Sequence, residues 1–255
     1  MDDMTEYHKF IYDEEQVKRF YSLLSPLKDE EAYFLSMSAR NKYLTEEERK
    51  EYNLGRTEMF ARELVKEGSW EAFIRVLKSM QVSRGGYTSR GDVTLPDKCL
   101  VVYANINPRS GIKALKEFQE KTTQLMFDML DKADAKKKFS GLDTLMMNCY
   151  QRANGTKTLI DIDFDVPRDG KDILDNFLKQ MGEHSVTCHV IETKSGWHVL
   201  LERKDIKFNY TEFVKEAHKE AQARYGNEHV EVMINKNDMC VVPGTIQAGH
   251  EVRFI

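Results

Sequence analysis

Three acidic residues at alternate positions, Asp161-Ile-Asp163-Phe-Asp165, form the part of this sequence best suited to chemistry. Residues 158–166 read as a strand, and in a strand positions i, i+2 and i+4 share one face. Ile160, Ile162 and Phe164 then bury on the opposite face and anchor the carboxylates above them. Carboxylates held so close repel one another, and strands are otherwise poor in aspartate. A hard divalent cation, Mg2+ or Mn2+, offsets that repulsion through oxygen ligands. A solvated acidic face, partly paired with lysines, is the competing reading of the same residues.

Two further groups lie downstream. In Lys194-Ser195-Gly196-Trp197-His198 the Ser-Gly pair reads as a tight hairpin turn, with His198 at the start of the returning strand. A hydroxyl, an imidazole, an ammonium and the free N–H groups of a glycine turn together suit a phosphate, although such turns also occur without a ligand. Glu231 lies between Val230 and Val232, so it points to the face opposite theirs and is a candidate metal ligand. Asp238, nearer a turn, is its competitor. Pro243-Gly244-Thr245 reads as a tight turn whose amides and hydroxyl could meet a phosphate or a template backbone.

The elements that must position these groups come from the rest of the chain. Its 255 residues allow one large domain or a core with an appendage. A hydrophobic share of 41% against 31% charged residues excludes a disordered or low-complexity chain. No apolar run approaches the roughly 18 residues that span a bilayer, and the acidic start is unlike a signal peptide. The expectation is therefore a cytoplasmic protein with no membrane partner. A net charge of −4 excludes a uniformly basic nucleic-acid binder but leaves room for a local basic channel. The 4 cysteines include no C-x-x-C pair, which argues for buried thiols and against a structural zinc site.

Residues 1–82 read as a helical subdomain. Thr45-Glu-Glu-Glu48 is a capping box within a helix expected over 36–50. Met59, Phe60, Leu64 and Val65 suggest a helical face, and Ser69 caps a segment carrying Trp70, Phe73, Ile74 and Leu77. Residues 83–97, rich in Gly and Arg, mark the boundary with a second domain over 98–255. There the pattern predicts strands at 99–104, 158–166, 186–192, 197–202, 229–234 and 239–242, with helices at 110–134, 142–150, 171–181 and 210–225. The fold class is α+β: a helical N-terminal part, then a mixed or antiparallel sheet flanked by helices.

The order Leu159-Ile-Asp161-Ile-Asp163-Phe, Ser195-Gly-Trp-His198, Glu231 and Pro243-Gly-Thr resembles the archaeo-eukaryotic primase superfamily, which includes primase-polymerases of phages and plasmids. Val102-Tyr-Ala-Asn-Ile-Asn-Pro108 is similar to that family's strand ending in an Asn-Pro turn. The likeness covers about residues 98–250. It implies a primase-like sheet and metal-dependent nucleotidyl transfer, making primers on single-stranded DNA from nucleoside triphosphates in phage or mobile-element replication. In that reading Asp161, Asp163 and Glu231 hold two divalent ions, Asp165 is a spare ligand, and Lys194, Ser195 and His198 grip the triphosphate. Template contacts are expected from Arg84, Arg90, Arg109, Lys136, Lys137 and Lys138, with Tyr87 or Trp197 available for stacking. A phage-encoded protein of this kind would act in the bacterial host cytosol. A separate replicative helicase would be its partner, since the chain carries no phosphate-binding loop of the G-x-x-x-x-G-K-S/T type. A metal-dependent nuclease, or a nucleic-acid-binding protein keeping the fold without turnover, are the alternatives.

Overall fold

A computed structural model describes residues 7–83, 85–88, 93–131, 141–226 and 230–255. The first elements are α1 (Glu14–Leu23), β1 (Glu31–Arg40), α2 (Glu46–Tyr52), β2 (Thr57–Val65) and α3 (Trp70–Ser79). Then come β3 (Leu100–Asn105), β4 (Arg109–Ser110), α4 (Gly111–Asp131), α5 (Leu142–Arg152), β5 (Leu159–Asp165) and α6 (Lys171–Glu183). The last stretch holds β6 (Cys188–Glu192), β7 (Trp197–Glu202), α7 (Thr211–Tyr225), β8 (Glu231–Ile234), β9 (Met239–Val241), β10 (Ile246–Gln247), β11 (His250–Glu251) and β12 (Arg253–Phe254).

The fold is α+β and rests on two antiparallel sheets. One runs β2-β1-β3-β9, with β4 paired to the start of β1; the other runs β12-β6-β7-β5-β8. Two of the strands in the first sheet come from the region expected to be helical, and this corrects the sequence reading. β1 is buried along nearly its whole length on both faces, and its Ala, Leu and Met residues are good helix formers. Pairing with β2 on one side and β3 on the other overrides that preference. In β2 the register slips so that Phe60 is an extra residue between Met59 and Ala61. Such a bulge breaks the alternation that marks a strand.

Local signals fared better. Thr45 Oγ1 accepts from the Glu48 amide at 3.3 Å while the Thr45 amide donates to Glu48 Oε2 at 2.9 Å, closing the capping box of α2. Ser69 Oγ accepts from the Ala72 amide at 3.2 Å and starts α3.

The first sheet joins β1 and β2 to β3 and β9, so it crosses the boundary expected between 82 and 98. Its apolar core takes in residues from Phe10 to Phe254 and includes Leu159, Ile191 and Leu200 from the facing side of the second sheet. A second core, with Ile162, Phe164 and Val199, fills the space between the second sheet and α6 and α7. The alternation along β5 therefore sends its isoleucines and phenylalanine toward the helices and its aspartates toward the first sheet. Asn107 fixes where β5 begins: its carboxamide donates to Leu159 O at 2.9 Å and accepts from the Leu159 amide at 3.0 Å. Among the described residues no helix is long and apolar enough to cross a membrane.

Candidate active site

β5 lies between β7 and β8, and the register sets what faces its aspartates. Asp163 stands opposite His198, and Asp165 stands opposite Glu231. Directly opposed residues bring their Cβ atoms to roughly 5 Å, so the acidic strand has an imidazole on one flank and a glutamate on the other. The β6–β7 hairpin closes as expected, with the Thr193 amide donating to Gly196 O at 2.9 Å. Gly196 is required there, because a Cβ would overlap the Phe164 carbonyl of β5.

The three aspartates share a face but not an environment. Asp161 is 1% exposed. Its carboxylate lies 2.9 and 3.0 Å from His198 Nδ1, and Asn235 Nδ2 donates to it at 2.8 Å. Asp163 is half-buried, with Oδ1 3.9 Å from His198 Nε2. Asp165 is more open and meets Lys42 Nζ at 3.4 Å. Burial and the neighbouring Asp161 and Asp165 charges hold the Asp163 carboxyl above its ordinary value, against the pull of His198 and Lys42. Burial of His198 disfavours its cation, yet Asp161 and Asp163 outweigh that and lift the imidazole to about 9. At neutral pH the ring is an imidazolium, donating from Nδ1 to Asp161, with Nε2 on the Asp163 side.

Asp163, Asp165, Glu231, Ser195 and His198 line a cleft of about 650 Å3. Its other wall comes mainly from the region expected to be helical, with Arg40 at the end of β1, Lys42 and Tyr43 in the 3-10 turn that follows, and Arg56; Tyr103 of β3 completes it. Arg40 Nη1 donates to Tyr103 OH at 2.7 Å, and its Nε is buried without a partner. Lys42 Nζ donates to Ser195 Oγ at 3.0 Å. An acidic wall thus faces a cationic one.

Several expected roles change. Asp161, expected to be a metal ligand, has its oxygens bonded to His198 and Asn235, so in this structure it orients the ring. Lys194 was expected at the phosphate, but its ammonium donates to Ala248 O at 2.6 Å and sits 5.1 Å from the centre of the Tyr43 ring. Lys42 stands beside Ser195 in its place. Asp238 is buried with Lys157 Nζ at 3.3 Å and Arg109 Nη1 at 3.9 Å, so of the two candidates it is Glu231 that joins Asp163 and Asp165 in the cleft. Arg109 was expected on a template, yet it is 1% exposed and also bonds Asn154. Tyr87 and Trp197 are buried as well, the first bonded to Met80 O and the second beneath Arg168, so neither offers a stacking face. The Pro243-Gly244-Thr245 turn is turned inward: Thr245 Oγ1 donates to Val242 O at 2.6 Å, and Gly244 O accepts from the Tyr12 and Asp13 amides. Arg84, Arg90, Lys136, Lys137 and Lys138 lie outside the described residues, as does the start of the strand expected from position 229.

Among the described residues, the group of His, Cys, Asp and Glu whose donor atoms lie within 4.8 Å of one another is Asp161, His198 and Cys240. Cys240 reaches this pair from β9 in the other sheet, and burial raises its thiol well above the usual range. Asp161 and His198 are bonded to each other, while the Cys240 thiol donates to Val241 O at 3.4 Å and only packs near the pair. Comparison with known proteins gives no match to this chain, whether among family models, curated proteins or solved structures.

Proposed function

We propose that the cleft is a nucleotidyl-transfer site of the primase type, adding nucleotides from nucleoside triphosphates to a strand paired with single-stranded DNA. One observation carries the reading. An acidic strand is flanked by His198 and Glu231 on neighbouring strands, is met by Lys42 at Asp165, and shares with Arg40 the lining of a space large enough for a nucleotide. The donor set suits Mg2+ or Mn2+: Asp163, Asp165 and Glu231 offer hard oxygens, and burial together with the neighbouring Asp161 and Asp165 charges raises the Asp163 carboxyl, a cost that a bound hard cation would offset. Such ions would lower the pKa of an attacking 3′-hydroxyl and neutralise the triphosphate.

The chain's own groups supply the rest. Asp161 holds the His198 ring through Nδ1, leaving Nε2–H to donate to a phosphate oxygen. Ser195 and Lys42 add a hydroxyl and an ammonium beside it, and Arg40 brings a guanidinium with an unpartnered N–H. Fixed positive groups aimed at developing phosphoryl charge are the main source of catalysis in such transfers.

The test is primer extension on single-stranded DNA with Mg2+ or Mn2+ and all eight ribo- and deoxynucleoside triphosphates. Wild-type incorporation that is lost in Asp163→Ala supports the proposal. Loss of labelled DNA with metal alone would make the site a nuclease. DNA binding unchanged by Asp163→Ala, with no incorporation by the wild type, would leave a binding protein.

A further inference from the structure

The turn at 235–238 separates the cleft from a second pocket of about 410 Å3. Ile160, Ile206 and Ile234 give it an apolar floor, Tyr210 an aromatic wall, and Arg203 and Lys236 a cationic rim. Nearby charges are matched: Lys204 pairs with Glu202, and Lys157 with Asp238. Among the described residues Arg203 and Lys236 are in no ion pair, and both are exposed. Tyr210 is also the residue from which α7 starts, and no side chain caps that end. Its first N–H groups therefore have no side-chain cap, although Glu212 in the first turn offsets part of the helix's positive end. The acids at this pocket are both engaged, Asp161 by His198 and Asn235, Asp238 by Lys157 and Arg109.

We propose that this second pocket binds a nucleoside triphosphate, independently of the metal-dependent cleft. The base lies on the isoleucine floor beside the Tyr210 ring, and the phosphates meet Arg203 and Lys236. A purely apolar ligand would leave the cations unused, and a bare anion would leave the floor wet; a base joined to phosphates uses both. Nothing in the pocket requires Asp163, Asp165 or Glu231, so this site stands whether or not the cleft transfers nucleotides.

The experiment is calorimetric titration of the full chain with ATP in EDTA, where divalent ions are absent. Wild type should bind ATP with no divalent ion present. Arg203→Glu should weaken binding about tenfold or more, the scale of one charge-assisted hydrogen bond lost. Ile206→Trp should abolish it by filling the pocket; should that variant fail to fold, the exposed Arg203→Glu carries the test alone. No ATP binding by folded wild type, or the same affinity in Arg203→Glu, overturns the proposal. Tripolyphosphate binding as tightly as ATP also overturns it, since the pocket would then read charge alone. Binding that depends on Arg203 in a protein inactive in primer extension would sink the transfer reading and leave this one standing.

Discussion

The Asp161–His198 pair makes the stability of this protein depend on pH in a defined window. The imidazole moves from an ordinary 6.5 to about 9 in the folded chain. Between those values the folded state holds a proton that the unfolded state has released, so stability falls as pH rises. The contribution is complete below about pH 6.5 and is gone above about pH 9. At about 1.4 kcal/mol per pH unit, lifting the imidazole from 6.5 to about 9 corresponds to about 3 kcal/mol. A chain of this size shifts its Tm by roughly 2–4 °C per kcal/mol, which gives roughly 6–12 °C across the window. His198→Gln keeps a polar side chain and removes the titration. Thermal melts of both proteins in EDTA from pH 6 to pH 10 isolate the effect, because groups remote from the ring titrate alike in each. The gap between wild type and variant should be widest at pH 6 and close by pH 9 to 10. Proton NMR of the ring gives the midpoint directly, and Asp161→Asn should lower it. A constant gap over the whole range, or an imidazole titrating near 6.5, would refute the reasoning.

Other perturbations read other parts of the fold. Gly196→Ala forces the β6–β7 turn away from the Phe164 carbonyl and should cost more than about 3 kcal/mol, seen as a large drop in the urea midpoint. Asp238→Ala removes the carboxylate beside buried Arg109 and should cost about 3–5 kcal/mol in the same assay; a loss under 1 kcal/mol would show the guanidinium satisfied by Asn154 and the Asn237 carbonyl alone. Lys42→Ala breaks a half-exposed pair with Asp165, so its Tm should move little, by less than about 1 kcal/mol in stability. In primer extension the same variant should raise the KM for nucleotide, and an unchanged KM would remove Lys42 from the triphosphate.

Much of the fold was readable where the pattern was local. The capping box at Thr45, the cap at Ser69 and the helices near 171–181 and 210–225 follow from neighbours in sequence, and the structure has them. The α+β class and the strand bearing the aspartates were readable for the same reason. β1 and β2 were not, because what makes them strands is pairing with β3, which lies about 60 residues beyond β1. One signal was present all the same: Leu35-Ser-Met-Ser-Ala-Arg40 alternates apolar and polar residues, the period of a strand. Reading it would have placed Ser38 and Arg40 on one face, which is the face that lines the cleft.

The roles of the three aspartates show where sequence reading stops. Spacing makes Asp161, Asp163 and Asp165 equivalent, since each is two residues from the next on one strand face. Depth separates them: Asp161 lies under β9 beside Cys240, while Asp165 lies at the open end beside Lys42. Which acid Glu231 joins depends on the register of β8 against β5, and a slide of two residues would set it opposite Asp163 without moving any side chain to another face. The Asn235 amide donating to Asp161 O at 2.8 Å holds that register, with the Asn235 side chain bonded to the same aspartate. The residue that fixes which carboxylates share the cleft is thus an asparagine in a turn, whose importance comes from a partner 74 positions away.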